Sequence, residues 1–229
     1  MPMSPHSRPL GLLSIATACA LMLPLAACSA QKRTPQSSTE SMNSSQATAT
    51  KDAPRRNLNP APKRAFEIRL KVEGAPGPLS QVSGTAQFDV SNDTECGHYN
   101  RLAGVVERIT SNEPFTLAKV SDSEYSGVVH LDAILDEDYY GNGVCRWELS
   151  EARVALRADE PDATRFVPKL PGEAVAAGGS QTRYYWKGYY PRTKTGNFAD
   201  YGNKNLDEVP ADKRDEFFTI TLSAKEVQP

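Results

Sequence analysis

From Ala65 onward, apolar and polar residues alternate with a period of two. Phe66, Ile68, Leu70 and Val72 are separated by Glu67, Arg69 and Lys71, the pattern of a strand with one buried face. Gly74-Ala75-Pro76-Gly77-Pro78 ends it, and Val82 to Val90 resumes it through Ala86, Phe88 and Val90. Shorter strand candidates follow at Leu102–Ile109 and Phe115–Val120. Tyr125–Leu135 is a longer apolar run, and Cys145–Ala158 places Ala152, Val154 and Leu156 on one side. Thr182–Trp186 and Phe217–Ala224 complete the series. Helical signals are sparse. Pro171 to Ala177 has a proline start and a Gly178-Gly179 stop, and Ala211 to Glu216 has room for one turn. About eight short antiparallel strands with Gly, Pro, Asn and Asp between them predict one all-β domain, sandwich or barrel-like, over 65–229.

The first 64 residues read differently. Arg8 and the terminal amine precede an apolar run from Leu10 to Leu25. That run is short for a membrane span, which needs roughly 20 apolar residues, and suits the core of a signal peptide. It ends in Leu25-Ala26-Ala27-Cys28, which resembles the lipobox of bacterial lipoproteins. The resemblance implies cleavage after Ala27, a diacylated Cys28 thiol and an acylated new amine. Two or three acyl chains suffice for stable anchoring in a bilayer. Cys19 fits less well, because Ala16 stands where the leucine belongs. Ser29, rather than Asp, follows Cys28. By the same resemblance this favours the inner leaflet of the outer membrane, facing the periplasm, with surface display as the alternative. Residues 28–64 are rich in Ser, Thr, Gln, Asn, Ala and Pro. They hold too little apolar surface to offset their ordering entropy, which predicts a flexible tether with an r.m.s. reach of roughly 30–35 Å.

Composition narrows the classes. The 229-residue chain has net charge −2, and removing 1–27 takes away Arg8 and no acid, leaving 25 basic against 28 acidic residues. The later part shows no basic patch, which speaks against nucleic acid as a partner. Once Cys19 leaves with the signal and Cys28 carries lipid, Cys96 and Cys145 remain. In an oxidising compartment such a pair is expected to form a disulfide. A zinc site from Cys96, His98, His130 and Cys145 is the alternative, although Cys-x-His is not a common finger spacing.

Catalytic signatures are missing. Neither Gly-x-Ser-x-Gly nor His-Glu-x-x-His occurs, and the mature chain would keep only His98 and His130, so the expectation is not an enzyme. The densest chemistry is Asp136-Glu137-Asp138-Tyr139-Tyr140-Gly141-Asn142-Gly143-Val144-Cys145-Arg146-Trp147. Against the EF-hand template Asp136, Asp138 and Gly141 fit positions one, three and six, but Trp147 falls at position twelve, where a bidentate Glu belongs. A looser calcium site from Asp136, Asp138 and Asn142 is the alternative to the leading expectation of no cofactor. As structure, Gly141-Asn142-Gly143 is a turn. Cys145 would pin the strand that follows, and Trp147 would pack on the disulfide. Asp136, Asp138, Tyr139 and Tyr140 would then project from a braced loop, good contact material for a protein partner. A second aromatic cluster, Tyr184-Tyr185-Trp186-Lys187-Gly188-Tyr189-Tyr190, should give one face to the core. It leaves Tyr189 and Tyr190 in a loop that Phe198 and Tyr201 extend, as a rim, a sugar-stacking surface or a protein-docking surface.

The string from Asp138 to Trp147, Asp-Tyr-Tyr-Gly-x-Gly-Val-Cys-x-Trp, is similar to one in small gammaproteobacterial lipoproteins, some of which accompany secreted antibacterial lipases. The resemblance implies a periplasmic immunity protein that neutralises a secreted envelope-targeting toxin by occlusion, with Asp136, Asp138, Tyr139, Tyr140, Tyr189 and Tyr190 as contacts. The alternative is an envelope scaffold or assembly lipoprotein with a carbohydrate or calcium contact. The anchor is directly testable. Mass spectrometry of the membrane form should find acyl chains on Cys28 and no leader, and Cys28→Ser should lose the lipid and fractionate away from the membrane. An intact leader or an unmodified sulfur would defeat the lipoprotein reading.

Overall fold

The computed structural model describes residues 55–207 and 209–228, so the signal segment, the lipobox with Cys28 and the tether up to residue 54 lie outside the described residues. The elements run β1 (Ala65–Glu73), β2 (Gln81–Val90), α1 (Asp93–Cys96), β3 (Tyr99–Asn100), β4 (Val105–Val106) and β5 (Thr110–Phe115). Then come β6 (Leu117–Lys119), β7 (Glu124–His130), β8 (Trp147–Arg157), β9 (Arg165–Phe166), β10 (Lys169–Pro171) and α2 (Gly172–Ala176). Finally come β11 (Ser180–Trp186), β12 (Ala199–Asp200) and β13 (Phe217–Val227). One sheet has the order β11-β13-β1-β7-β6 and the other β12-β9-β8-β2-β5, with β10 also on β8. The fold is an all-β sandwich, as the alternation predicts. The pairing departs from the expected antiparallel scheme at one place: β12 runs parallel to β9.

Alternation builds the core. Phe66, Ile68 and Leu70 of β1 and Phe218, Ile220 and Leu222 of β13 are buried from one sheet. Ala86 and Phe88 of β2 and Ala152, Val154 and Leu156 of β8 are buried from the other. Each large side chain so buried contributes about 1.5–3 kcal/mol. Phe166, Tyr185 and Phe218 tie the two sheets together, with Phe166 edge-on to Tyr185 at 5.5 Å and to Phe218 at 5.1 Å.

The strand predicted from Cys145 to Ala158 changes phase in its middle, with Trp147 buried at an odd position and Ala152, Val154 and Leu156 at even ones. A β-bulge accounts for it: Gln87 pairs with Glu151 and Phe88 with Leu149, leaving Ser150 as the extra residue. The bulge turns the Ser150 hydroxyl onto Asp89, which also accepts from Thr110, from Gln87 at 3.1 Å and from Arg108 at 2.7 Å. The start of α2 seats on the same bulge, where Gly172 lies so close to the Leu149 carbonyl that a β-carbon has no room.

The ten residues before β1, placed at the end of the tether by composition, lie along the domain instead. Asn59 donates its N–H to Ala133 (2.8 Å), Leu135 donates to Asn57 (2.9 Å), and the Lys63 and Arg64 N–H groups donate to Asp132. Arg56 forms a two-pronged ion pair with Glu113. Backbone and side-chain hydrogen bonds and one ion pair, rather than apolar burial, hold this segment, which is why a hydrophobicity pattern does not reveal it.

Burial pushes the Asp89 carboxyl up, but the hydrogen bonds from Ser150, Thr110 and Gln87 and the Arg108 charge outweigh it and hold the group below its ordinary value. A lowered folded pKa gives stability that is present above the unfolded value of about 4 and lost as pH falls through the folded one. Asp89→Asn should therefore cost about 1–2 kcal/mol at pH 7 and show a shallower loss of stability on acidification. Parallel urea unfolding of wild type and variant from neutral to acid pH measures both effects. A difference between them that stays constant down to pH about 2 would contradict it.

Candidate functional site

The strand register sets the geography. Ala65 of β1 lies opposite His130 of β7 and Val227 of β13, whereas Glu73 lies opposite Thr219. Residues 131–147, which follow β7, therefore sit at one end of the sandwich. Residues 187–190, which follow Trp186 opposite Phe217, sit at the other. The two sets of predicted contact residues are separated by the length of β1, roughly 25–30 Å at about 3.3 Å per residue. The sequence proposes them as one contact set; the fold does not bring them together.

At the first end, Cys96 and Cys145 form a disulfide across a separation of 49 residues, so neither sulfur is a zinc ligand. Both cysteines and Trp147 belong to one buried cluster. Side-chain amides extend the brace. Asn92 accepts the Arg146 N–H at 2.8 Å and donates to the Val144 carbonyl at 2.9 Å, and Asn142 donates to the Gly97 carbonyl at 2.9 Å. Asp136 accepts the Trp147 N–H at 2.8 Å, and Asp138 accepts the Gly141 N–H at 2.6 Å. Both carboxylates are exposed, yet each has one oxygen committed to shaping the turn. Tyr139 donates to the Leu135 carbonyl at 2.6 Å and accepts the Asn57 N–H at 3.1 Å, so its hydroxyl binds the N-terminal segment rather than waiting for a partner. Tyr140 packs half-buried on the core, with the Arg55 guanidinium 5.9 Å from its ring centre. Among the described residues no group of three or more His, Cys, Asp or Glu side chains is placed to hold a metal ion. Asp136, Asp138 and Asn142 serve as turn and loop braces.

Beside this loop stands a feature that the alternation misassigns. Leu102–Ile109 reads as a short strand. In the fold, β3 and β4 form a short hairpin whose turn is set by Asn100. Its side-chain oxygen accepts the Leu102 and Ala103 N–H groups, both at 3.1 Å, and its carbonyl accepts the Gly104 N–H at 2.8 Å. Gly104 has φ +71°, which favours glycine. Tyr99 and Val105 are more than half exposed and Leu102 is fully exposed. A cavity of about 700 Å³ lies against the hairpin, lined by His98, Tyr99, Arg101, Arg108, Thr110 and Tyr140. The Asn100 and Gly104 pair was the available sequence signal for the turn.

At the opposite end, Tyr190 is an internal strut. Its hydroxyl donates to the Pro78 carbonyl at 3.2 Å, and its ring covers Gly77 closely enough to exclude a β-carbon there. Tyr189 is half-buried between Trp186 and Phe198, with ring centres at 4.9 and 5.1 Å. His98 is exposed at the foot of the hairpin and His130 is half-buried at the end of β7. No helix among the described residues is long and apolar enough to cross a membrane.

Compared with protein-family models, with curated proteins and with solved structures, the chain has no match in any of the three. The functional reading accordingly rests on residues and geometry.

The brace has a measurable strength. Closing a loop with a 49-residue separation is worth about 4 kcal/mol in the chain-entropy treatment. Reduction, or paired Cys96→Ser and Cys145→Ser, should lower the urea midpoint accordingly. A midpoint indifferent to reductant would show that the amide hydrogen bonds hold this end unaided.

Proposed function

We propose that this is an envelope-tethered binding protein, an immunity or inhibitor lipoprotein that occludes a secreted, lipase-type envelope toxin. The observation that carries the reading is the disulfide-braced end. It presents a hairpin with exposed Tyr99, Leu102 and Val105, which shares a cavity with Tyr140 of the loop that carries the exposed carboxylates of Asp136 and Asp138. Tyr99 and Val105 lie on opposite faces of the two-stranded hairpin and Leu102 stands at its turn, so the tip offers apolar groups on both sides. A surface already held in shape loses little entropy on docking, which favours tight binding. The lipobox resemblance would place it where an incoming envelope-degrading protein acts.

The tip, rather than Tyr189 or Tyr190, is then the centre of the interface. Cells lacking the gene should die when a secreted lipase encoded beside it is directed to their periplasm, and the restored wild-type gene should protect them. Leu102→Asp should fold normally, because the side chain is solvent-exposed, yet bind that lipase at least about tenfold more weakly. Survival of the deletion strain would rule the reading out. Full protection by Leu102→Asp would move the contact away from the hairpin.

A further inference from the structure

The end of the sandwich remote from the hairpin holds a second feature, independent of the occlusion reading. A cavity of about 490 Å³ opens there, lined by Trp186, Tyr189, Phe198 and Phe217 together with Asp200, Asn203, Lys213 and Glu216. Its residues come from separate stretches of chain that the fold assembles. Trp186 ends β11, Phe198 and Asp200 flank or belong to β12, and Lys213 and Glu216 come from the 3-10 turn Ala211–Glu216. Clefts of this size, with aromatic side chains beside a few fixed polar groups, are a usual form of small-molecule sites.

The rings are held rather than loose. The Trp186 indole N–H donates to Glu216 at 2.9 Å, and its ring lies over Gly188, where a β-carbon would come within 2.5 Å of it. Tyr189 stands nearly perpendicular to Trp186, at 85°, and at 62° to Phe198. Trp186 and Phe198 are both 38% exposed, so apolar ring surface still faces solvent. The polar wall is fixed as well. Asn203 is bonded through its backbone to Tyr184 in both directions, at 2.8 and 3.0 Å, and Asp200 receives the Gly202 N–H at 2.9 Å. Residues 199–203 are thereby tied to β9 on one side and β11 on the other.

We infer that this cleft binds a pyranose ring of a glycan, with the exposed Trp186 and Phe198 rings against the apolar C–H face of the sugar and Asp200, Asn203 and Lys213 on its hydroxyls. The mixture of groups selects this ligand class. A neutral polyol needs acceptors and donors together, and Asp200, Asn203 and Lys213 supply both. Two carboxylates beside a single lysine disfavour a phosphate. An organic cation would suit both the rings and the two carboxylates and is opposed by the Lys213 ammonium, so the titration includes one as the competing ligand. The opposite end, with its braced hairpin, stays free while this end is occupied.

The test titrates the full-length protein in detergent, by calorimetry, with the β-1,4 trimer of N-acetylglucosamine, with maltotriose and with tetramethylammonium. A peptidoglycan pull-down then distinguishes a wall glycan from a free saccharide. At least one trimer should saturate a single site with a Kd of about 1 mM or below. Phe198→Ala and Asp200→Asn should each weaken it about tenfold or more, with thermal melting as the check that both variants fold. Absence of saturable binding by either trimer overturns the assignment. So does saturation by tetramethylammonium alone, or trimer binding that neither variant alters. None of these results bears on toxin protection, which is read at the other end.

Discussion

The cross-link between Cys96 and Cys145 is the constraint on which one end of this molecule depends. Residues 91–109 and 131–146 carry little strand pairing of their own: two two-residue strands and isolated bridges. A segment with so few ladder bonds samples many conformations unless something else closes it. The disulfide removes those alternatives. With the two loops fixed together, the side chains of Asn92 and Asn142 can bond across them. Asn57 of the N-terminal segment then reaches Glu137 and Tyr139 on the same loop. Exposed apolar groups at Tyr99 and Leu102 can be maintained there because rigidity, not burial, positions them.

The topology explains why the predicted contact residues lie at two ends of the sandwich rather than on one face. Long antiparallel strands such as β1 and β13 deliver their connections alternately to opposite ends, so residues close in chemistry need not be close in space. The acidic-aromatic loop follows β7 and the tyrosine cluster follows β11, and those two strands finish at opposite ends of the same sheet. A list of exposed-looking tyrosines therefore merges two surfaces that no single small partner would cover.

What could be read from the sequence was what burial writes into it. The period-two runs marked β1, β2, β8 and β13, each with a large buried face, and Pro171 with Gly178-Gly179 marked α2. The disulfide followed from the count of cysteines left in the oxidising compartment that the lipobox resemblance implies. Strands held by hydrogen bonds at an edge left no such mark. β5 reads Thr-Ser-Asn-Glu-Pro-Phe and contains a proline that an edge strand tolerates. β9, β10 and β12 are two or three residues long, too short for any period. The hairpin at 99–106 misled in the other direction, because valine and leucine that look like core are exposed there. Tyr190 misled too: nothing local reveals that Gly77, more than a hundred residues earlier, leaves the gap its ring fills.

The far end shows the same trade between burial and exposure at higher cost. Burial, and next the negative charge of Asp200, push the Tyr185 phenol far above its ordinary value, and burial pushes the Asp200 carboxyl up against the one backbone N–H that steadies it. Gly202 lets the chain pass so close that a β-carbon there would meet the Tyr185 ring at 2.8 Å. Keeping a carboxylate half-buried beside a phenol is unfavourable for stability alone, and an apolar residue at 200 would remove the penalty. The carboxyl stands in a cleft that is also lined by exposed aromatic surface. Besides accepting the Gly202 N–H, a polar group held partly dry beside open rings suits contact with a ligand that has both an apolar face and hydroxyls.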